Sequence, residues 1–378
     1  MCRHLPAVIL ILISVLLNGY LAARLLPPLS VWPVVPWLLG ALLLLSATSG
    51  PAAMWAWRIR HPVWSDRVAG LGYVFMGWFS SMLVLTLLRD IGLGVMALLG
   101  HHSPQIETWT ALAVALMGTA MTAIGWVNAR RTAGIVRIDV PIAGLPEGLH
   151  GFTIAQITDI HVGPTIKAPY LQAIVDAVNA LEADMVAVTG DLVDGSVRRL
   201  APHVAPLADL KSRHGTYFVM GNHDYYSGGH SWIAELQRLG LRVLLNEHVV
   251  LQHADEATLV VAGVTDYTAH HFDPAHRSDP HRAAAQAPQE TVKVLLAHQP
   301  RSAAEAVKAG FDLQISGHTH GGQFWPWRLA VPLQQPYVAG LHRLQDMWIY
   351  ISRGTGYWGP PKRFGAPSEI TLLRLVKA

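Results

Sequence analysis

Four stretches free of Asp, Glu, Lys and Arg, each long enough to cross a bilayer, fill the first third of this chain. They are residues 4–23 (HLPAVILILISVLLNGYLAA), 25–57 with its apolar part centred on 31–48, 68–88 (VAGLGYVFMGWFSSMLVLTLL) and 108–129. A membrane helix needs about 20 apolar residues, so we expect four spans near 5–24, 31–48, 69–88 and 108–127. The run IGLGVMALLG (91–100) is too short to span and reads as interfacial or re-entrant. Two other readings fail. A cleavable secretory signal has a shorter apolar core and a small-residue cleavage site, and three more spans follow here. A soluble helical bundle needs polar outer faces, yet residues 1–130 carry only 10 of the 53 charged residues and no Lys before Lys167.

Sidedness follows from Arg and Lys in the short loops. With four spans, Arg3, Arg58, Arg60, Arg67, Arg130 and Arg131 share one side, and only Arg24 and Arg89 lie on the other. That count puts the N-terminus and everything after residue 130 in the cytoplasm, on a multi-pass protein of the cell (inner) membrane; an odd number of spans reverses it. Trp55, Trp57 and Trp64 flank the arginine-bearing loop, as interfacial aromatics do. The net charge of +3 is unclustered, which gives no signal for nucleic-acid binding. The single cysteine, Cys2, excludes an internal disulfide and a thiolate-rich metal site.

After Arg131 the texture changes. Residues 1–131 form the membrane domain, 132–150 connect, and 151–378 form an α/β domain. Buried-strand patterns occur at 151–158, 184–190, 216–221, 259–264, 292–298, 311–316, 347–352 and 368–376. Helical patterns fall at 168–181 and near 200–210, 230–239 and 301–309. Such alternation predicts a layered sheet covered by helices. The stretch 265–290, rich in His, Asp and Pro, reads as an excursion loop.

Five of these strands end in polar residues that burial cannot explain: Thr158-Asp159-Ile160-His161, Gly190-Asp191-Leu192-Val193-Asp194, Gly221-Asn222-His223-Asp224, Ala297-His298, and Ser316 leading into Gly317-His318-Thr319-His320. Ligand sites of α/β sheets lie at the carboxyl ends of strands. Carboxylate, carboxamide and imidazole without thiolate suit Mn²⁺, Fe or Zn²⁺. In an extended Asp-x-His, residues i and i+2 point the same way and can reach one ion. Flanking glycines let the backbone turn and approach.

This ordered set, D-x-H, G-D-x-x-D, G-N-H-D, a lone His and G-H-x-H, resembles the calcineurin-like metallophosphoesterase superfamily, over roughly residues 150–378. The runs GHTHGGQ (317–323) and SRGTGYWGPPKRFGAPSEI (352–370) resemble its membrane-attached branch. The resemblance implies a four-layer α/β/β/α sandwich and two divalent metal ions. Asp159, His161 and His320 hold the first, Asn222, His298 and His318 the second, and Asp191 bridges them. It further implies in-line attack on phosphorus by a hydroxide shared between the ions, with His223 beside the leaving oxygen and Asp224 orienting His223. Asp194 reads as a turn or helix-capping residue, His270, His271, His276 and His281 as solvated loop histidines, and His230 as a helix cap or surface residue.

The expected activity is a membrane-anchored phosphodiesterase or pyrophosphatase on a lipid-like or nucleotide-linked phosphate ester, with the lipid bilayer as its partner. A general phosphomonoesterase and a non-catalytic metal-binding sensor or scaffold are the alternatives. A transporter is disfavoured because the spans lack buried acidic pairs, Arg89-Asp90 being the one charged pair at their edge. Phe324, Trp325, Trp327, Tyr357 and Trp358 either edge the cleft or belong to the core.

Overall fold

The computed structural model describes residues 5–378, so Cys2 and Arg3 lie outside the described residues. The described chain divides into two compact units: residues up to Arg130 with Gly359–Phe364, and Arg131–Trp358 with Gly365–Ala378.

The first unit is built from helices Leu5–Leu25 (α1), Val35–Trp55 (α2), Pro62–Leu98 (α3) and Pro104–Arg130 (α4). All four are long and apolar enough to cross a membrane. Large apolar side chains such as Leu16, Trp37, Leu44, Ile91 and Leu98 point outward, exposed. Inward, Leu21, Leu39, Leu43, Trp78, Met82, Leu85, Val114 and Met121 form the core. Gly72 lets α3 lie against α2: a Cβ there meets the Ser49 carbonyl oxygen at 2.3 Å. Small residues at such crossings are how helices pack where lipid removes the hydrophobic drive. The run 91–100 is not a separate interfacial piece. Residues 91–98 continue α3, whose 37 residues reach about 55 Å, well beyond a ~30 Å hydrocarbon core. The run is too short to span alone, but as a continuation of a helix it keeps its backbone hydrogen-bonded, which an apolar setting favours.

Residues Gly359–Phe364 complete this unit. Lys362, 1% exposed, donates from Nζ to the Gly77 carbonyl (2.9 Å), Ser81 Oγ (2.5 Å) and Thr122 Oγ1 (3.0 Å). Arg363 donates its N–H to the Gly125 carbonyl at 2.8 Å, and Asn128 Nδ2 donates to the Arg363 carbonyl at 3.1 Å.

The second unit holds two six-stranded sheets. In the first, Gly134–Ile142 (β1) pairs in parallel with Glu369–Lys377 (β12), which runs antiparallel to Thr153–Ile157 (β2). Parallel strands Met185–Val188 (β3), Thr216–Phe218 (β4) and Arg242–Val243 (β5) follow. In the second, Glu247–Gln252 (β6) lies antiparallel to Thr258–Gly263 (β7). Val292–Leu296 (β8), Leu313–Ser316 (β9) and Met347–Ile351 (β11) continue in parallel, and Gly340–Leu344 (β10) closes the edge antiparallel. The segment 132–150 is thus no mere connector, since it supplies strand β1.

Alternation decides the layers. Ile154, Met185, Ala187 and Tyr217 of one sheet pack on Val261, Val294, Leu296, Leu313 and Ile315 of the other. Their neighbours Ala155, Ile157, Val186 and Val188 face the opposite way and are also buried, which demands a covering layer. Helix Ala168–Asn179 (α5) supplies an apolar stripe of Leu171, Ile174, Val175 and Val178. On the second sheet Ala262, Leu295, Met347 and Ile349 pack with Ala283, Ala303 and Ala306, from helices Pro280–Ala284 (α6) and Ala303–Lys308 (α7). The α/β/β/α order follows.

Candidate metal centre

Strands β2, β3 and β4 are parallel, as are β8 and β9, so the loops after each set leave one edge of its sheet. Those loops carry the polar residues singled out above, and the structure gathers them. Ligand-capable atoms of Asp159, His161 and His320 lie within 4.8 Å of one another, as do those of Asp191, His298 and His318. Asp191 Oδ2 sits 3.2 Å from His298 Nε2 and 3.8 Å from His161 Nε2, between the two groups. Asn222 belongs to the short helix Asn222–Tyr226 (α8); its buried Oδ1 has no hydrogen-bond partner among the described residues.

Backbone strain marks the same loops. Asp159, His161, Asp191, His318 and His320 all adopt positive φ, between 51° and 71°. Each such residue costs of order 1–3 kcal/mol, which persists only where surrounding contacts fix it. Glycine makes room: a Cβ on Gly221 meets Asp191 Oδ1 at 2.2 Å, and one on Gly317 meets Asp159 Oδ2 at 2.2 Å.

The donor set fits divalent cations. His298 Nδ1 lies 2.8 Å from the Thr189 carbonyl, which can only accept, so Nδ1 carries the hydrogen and Nε2 presents its lone pair. That lone pair lies 3.2 Å from His318 Nδ1, while His161 Nε2 lies 3.1 Å from His320 Nε2. Imidazole nitrogens converging on each other beside two buried carboxylates, with an orphaned amide oxygen, are what an ion resolves. Burial, the larger cause, and the nearness of His298 lower His318 to about 3, which leaves its ring neutral and free to ligate. Burial opposes charge on His298, but Asp191 and Asp159 outweigh it and raise its proton affinity; a cation answers the same field.

One contact corrects the sequence reading. Asp224 does not orient His223. Its carboxylate accepts backbone N–H bonds from Gly221 (2.8 Å), Asp191 (3.0 Å), Leu192 (2.9 Å) and Val193 (3.2 Å), locking two loops together. The partner of His223 is Asp194, with Oδ1 2.7 Å from His223 Nδ1 and 3.2 Å from His161 Nδ1. Burial raises Asp194, but the charges and hydrogen bonds of His161 and His223 overcome it and hold the carboxyl at about 2. Burial lowers His223, yet its bond to Asp194 and the nearby Asp191 charge raise it to about 9. The signal for Asp194 was its place in G-D-x-x-D; the contact itself depends on the bridge between Val162 and Val193, which local sequence does not encode.

The aromatic residues divide. Phe324 and Tyr357 are buried, whereas Trp325, Trp327 and Trp358 are exposed. Trp358 meets the His223 ring edge-on at 5.4 Å, and Tyr226 meets it at 5.3 Å. Gln323 holds Trp358 by two bonds, donating to its carbonyl and accepting from its N–H, both 2.8 Å. Gly356 donates its N–H to the Asp159 carbonyl at 3.1 Å, tying the tail to the D-x-H loop.

Comparison with known proteins points one way. The family model described as calcineurin-like phosphoesterase matches residues 152–322. The transmembrane protein with metallophosphoesterase domain of Danio rerio is 38% identical over 273 residues, covering 70% of this chain and 62% of that protein. An uncharacterized metallophosphoesterase of Helicobacter pylori is 41% identical over 228 residues, 59% of each chain. One from Aquifex aeolicus is 30% identical over 233 residues, covering 61% of this chain and 87% of that protein. The chain therefore spans less than two thirds of the length of the Danio rerio relative.

Proposed function

The chain belongs to the calcineurin-like metallophosphoesterase family, and from that premise we propose that it is a membrane-anchored, dinuclear metal-dependent phosphoesterase that cleaves the phosphodiester or pyrophosphate bond of a lipid-like or nucleotide-linked substrate. The observation that carries this reading is the position of Asp191, buried, with one carboxylate oxygen 3.2 Å from His298 in its own cluster and 3.8 Å from His161 in the other.

Asp159, His161 and His320 would hold one ion, Asn222, His298 and His318 the other, and Asp191 both. When bound, such a pair neutralises phosphoryl charge and acidifies water at neutral pH. The chain's own residues do the rest. Asp194 fixes the His223 ring through Nδ1, so Nε2 is the nitrogen left to hand a proton to the leaving oxygen. The same carboxylate steadies His161. Asp224 clamps the backbone of the Asp191 loop. Trp358 and Tyr226, both exposed, offer apolar faces beside His223 for the organic part of a diester. The helical anchor raises the effective concentration of membrane-borne substrates. The arginine bias supports a catalytic unit on the cytoplasmic face of the inner membrane.

The test compares bis(p-nitrophenyl) phosphate with p-nitrophenyl phosphate, using the full chain with Mn²⁺. We expect faster diester turnover, lost in Asp191→Asn and lowered about 10²–10⁴-fold in His223→Ala. Equal rates in wild type and both variants overturn the proposal.

A further inference from the structure

A third group of ligand-type side chains lies apart from the two clusters: His230, Asp273 and His276, with atoms within 4.8 Å of one another. His230 opens helix Gly229–Arg238; Asp273 and His276 belong to the 265–290 excursion. Asp273 Oδ2 stands 3.0 Å from His230 Nε2 and 4.0 Å from His276 Nε2. Its other oxygen accepts the Ala275 N–H at 2.9 Å, which fixes the carboxylate. His276 Nδ1 is engaged by the Tyr225 hydroxyl at 2.8 Å, which aims Nε2 at the group. The rings of His230 and His276 are 5.1 Å apart. A cavity of about 300 Å³ opens beside them, lined by Tyr225, Gly228, His230, Phe272 and Asp273.

We propose that His230, Asp273 and His276 form a third cation site, suited to Zn²⁺, which clips the excursion onto the helix that begins at Gly229. Two neutral imidazoles and one carboxylate are a common zinc set, and the cavity leaves the fourth position to water or a ligand. The hydrogen bond at His276 Nδ1 supplies the orientation a zinc-bound histidine needs. One ion would tie the polar 265–290 excursion, through Asp273 and His276, to the helix that carries His230. The position has a consequence for the neighbouring cleft. Phe272 stacks on Tyr225 at 5.9 Å and meets Tyr226 at 5.3 Å, and Tyr226 touches His223. An ion at Asp273 therefore holds the wall that flanks His223.

The test is zinc binding by the full chain in detergent micelles. Chelator-stripped wild type, His230→Ala and Asp273→Asn are incubated with Zn²⁺, desalted and assayed for bound metal. The His230 side chain is 73% exposed, so its removal leaves the fold intact. We expect both variants to carry one equivalent fewer than wild type, with affinity for that equivalent reduced at least ~10-fold. We also expect zinc to slow proteolysis within 265–290 in wild type and not in Asp273→Asn. Equal zinc counts in wild type and His230→Ala overturn the proposal. The same pair on an Asp191→Asn background separates the sites: failure of the main centre removes equivalents common to all variants, while the difference at His230 persists.

Discussion

Two aspartates that each follow a candidate metal ligand, Asp194 three residues after Asp191 and Asp224 two after Asn222, do opposite work. Asp194 faces imidazoles, and Asp224 faces amides. Replacing Asp194 by Asn keeps the shape but removes the charge shared by His161 and His223. We expect Asp194→Asn to lower kcat for a chromogenic diester by about 10²-fold or more. Metal affinity should fall about 10–100-fold through His161, and thermal stability should change little. Asp224→Asn turns one oxygen into a donor facing two of the four N–H groups, and each buried donor left unpaired costs about 1–3 kcal/mol. Its first effect should be a lower melting temperature and loss of bound metal, with residual turnover following metal content. A kcat loss in Asp224→Asn at full metal occupancy and unchanged stability reverses these roles. The candidate ligands were readable as a group because each follows an apolar strand in a residue type that burial disfavours. The pairing of Asp194 with His223 was not, because Asp224 is next to His223 in the chain, whereas Asp194 lies 29 residues away and is brought to the ring only by the Val162–Val193 bridge.

At the scale of elements, the eight strands legible in the sequence, β2, β3, β4, β7, β8, β9, β11 and β12, are the interior strands of the two sheets. The four that were missed, β1, β5, β6 and β10, are the sheet edges. Interior strands are covered on both faces and read as apolar runs; edge strands are half wet, as β6 and β10 show, and their mixed texture resembles loop. The turns leaving the interior strands set the next expectation. Gly317→Ala places a methyl 2.2 Å from Asp159 Oδ2, whereas Gly134→Ala meets nothing within 4 Å. Metal content measured after chelation and reloading should collapse in the first and be unchanged in the second; equal content in both contradicts the tight packing of the G-H-x-H turn against Asp159. The docking of Lys362 between α3 and α4 was invisible for a different reason, since its partners Gly77, Ser81 and Thr122 lie more than 200 residues away in the chain. Lys362→Ala removes three donated bonds and a buried stem. We expect it to destabilise the full chain in micelles by about 1–3 kcal/mol, seen as a lower melting temperature; an unchanged melting curve contradicts a role for this segment in the helical unit.

At the scale of the whole chain, the proposed side of the membrane rests on parity. The joining of 91–98 to α3 leaves four apolar helices, so the loop after α3 and the loop between β10 and β11 fall on opposite sides if all four cross. Single cysteines test this directly, because Cys2 is the only natural thiol and Cys2→Ser removes it. His101 is exposed in the α3–α4 loop, and Asp346 projects fully from the β10–β11 turn. In cells making the full chain, a membrane-impermeant maleimide should label His101→Cys without permeabilisation and Asp346→Cys only after it. The inverted pattern places the catalytic unit outside and turns the arginine bias into an exception to the positive-inside tendency. Labelling of both or neither in intact cells means an even number of crossings between them, with α4 lying in the membrane without spanning it. The first pattern confines the candidate metal centre to substrates presented by the inner leaflet or the cytoplasm.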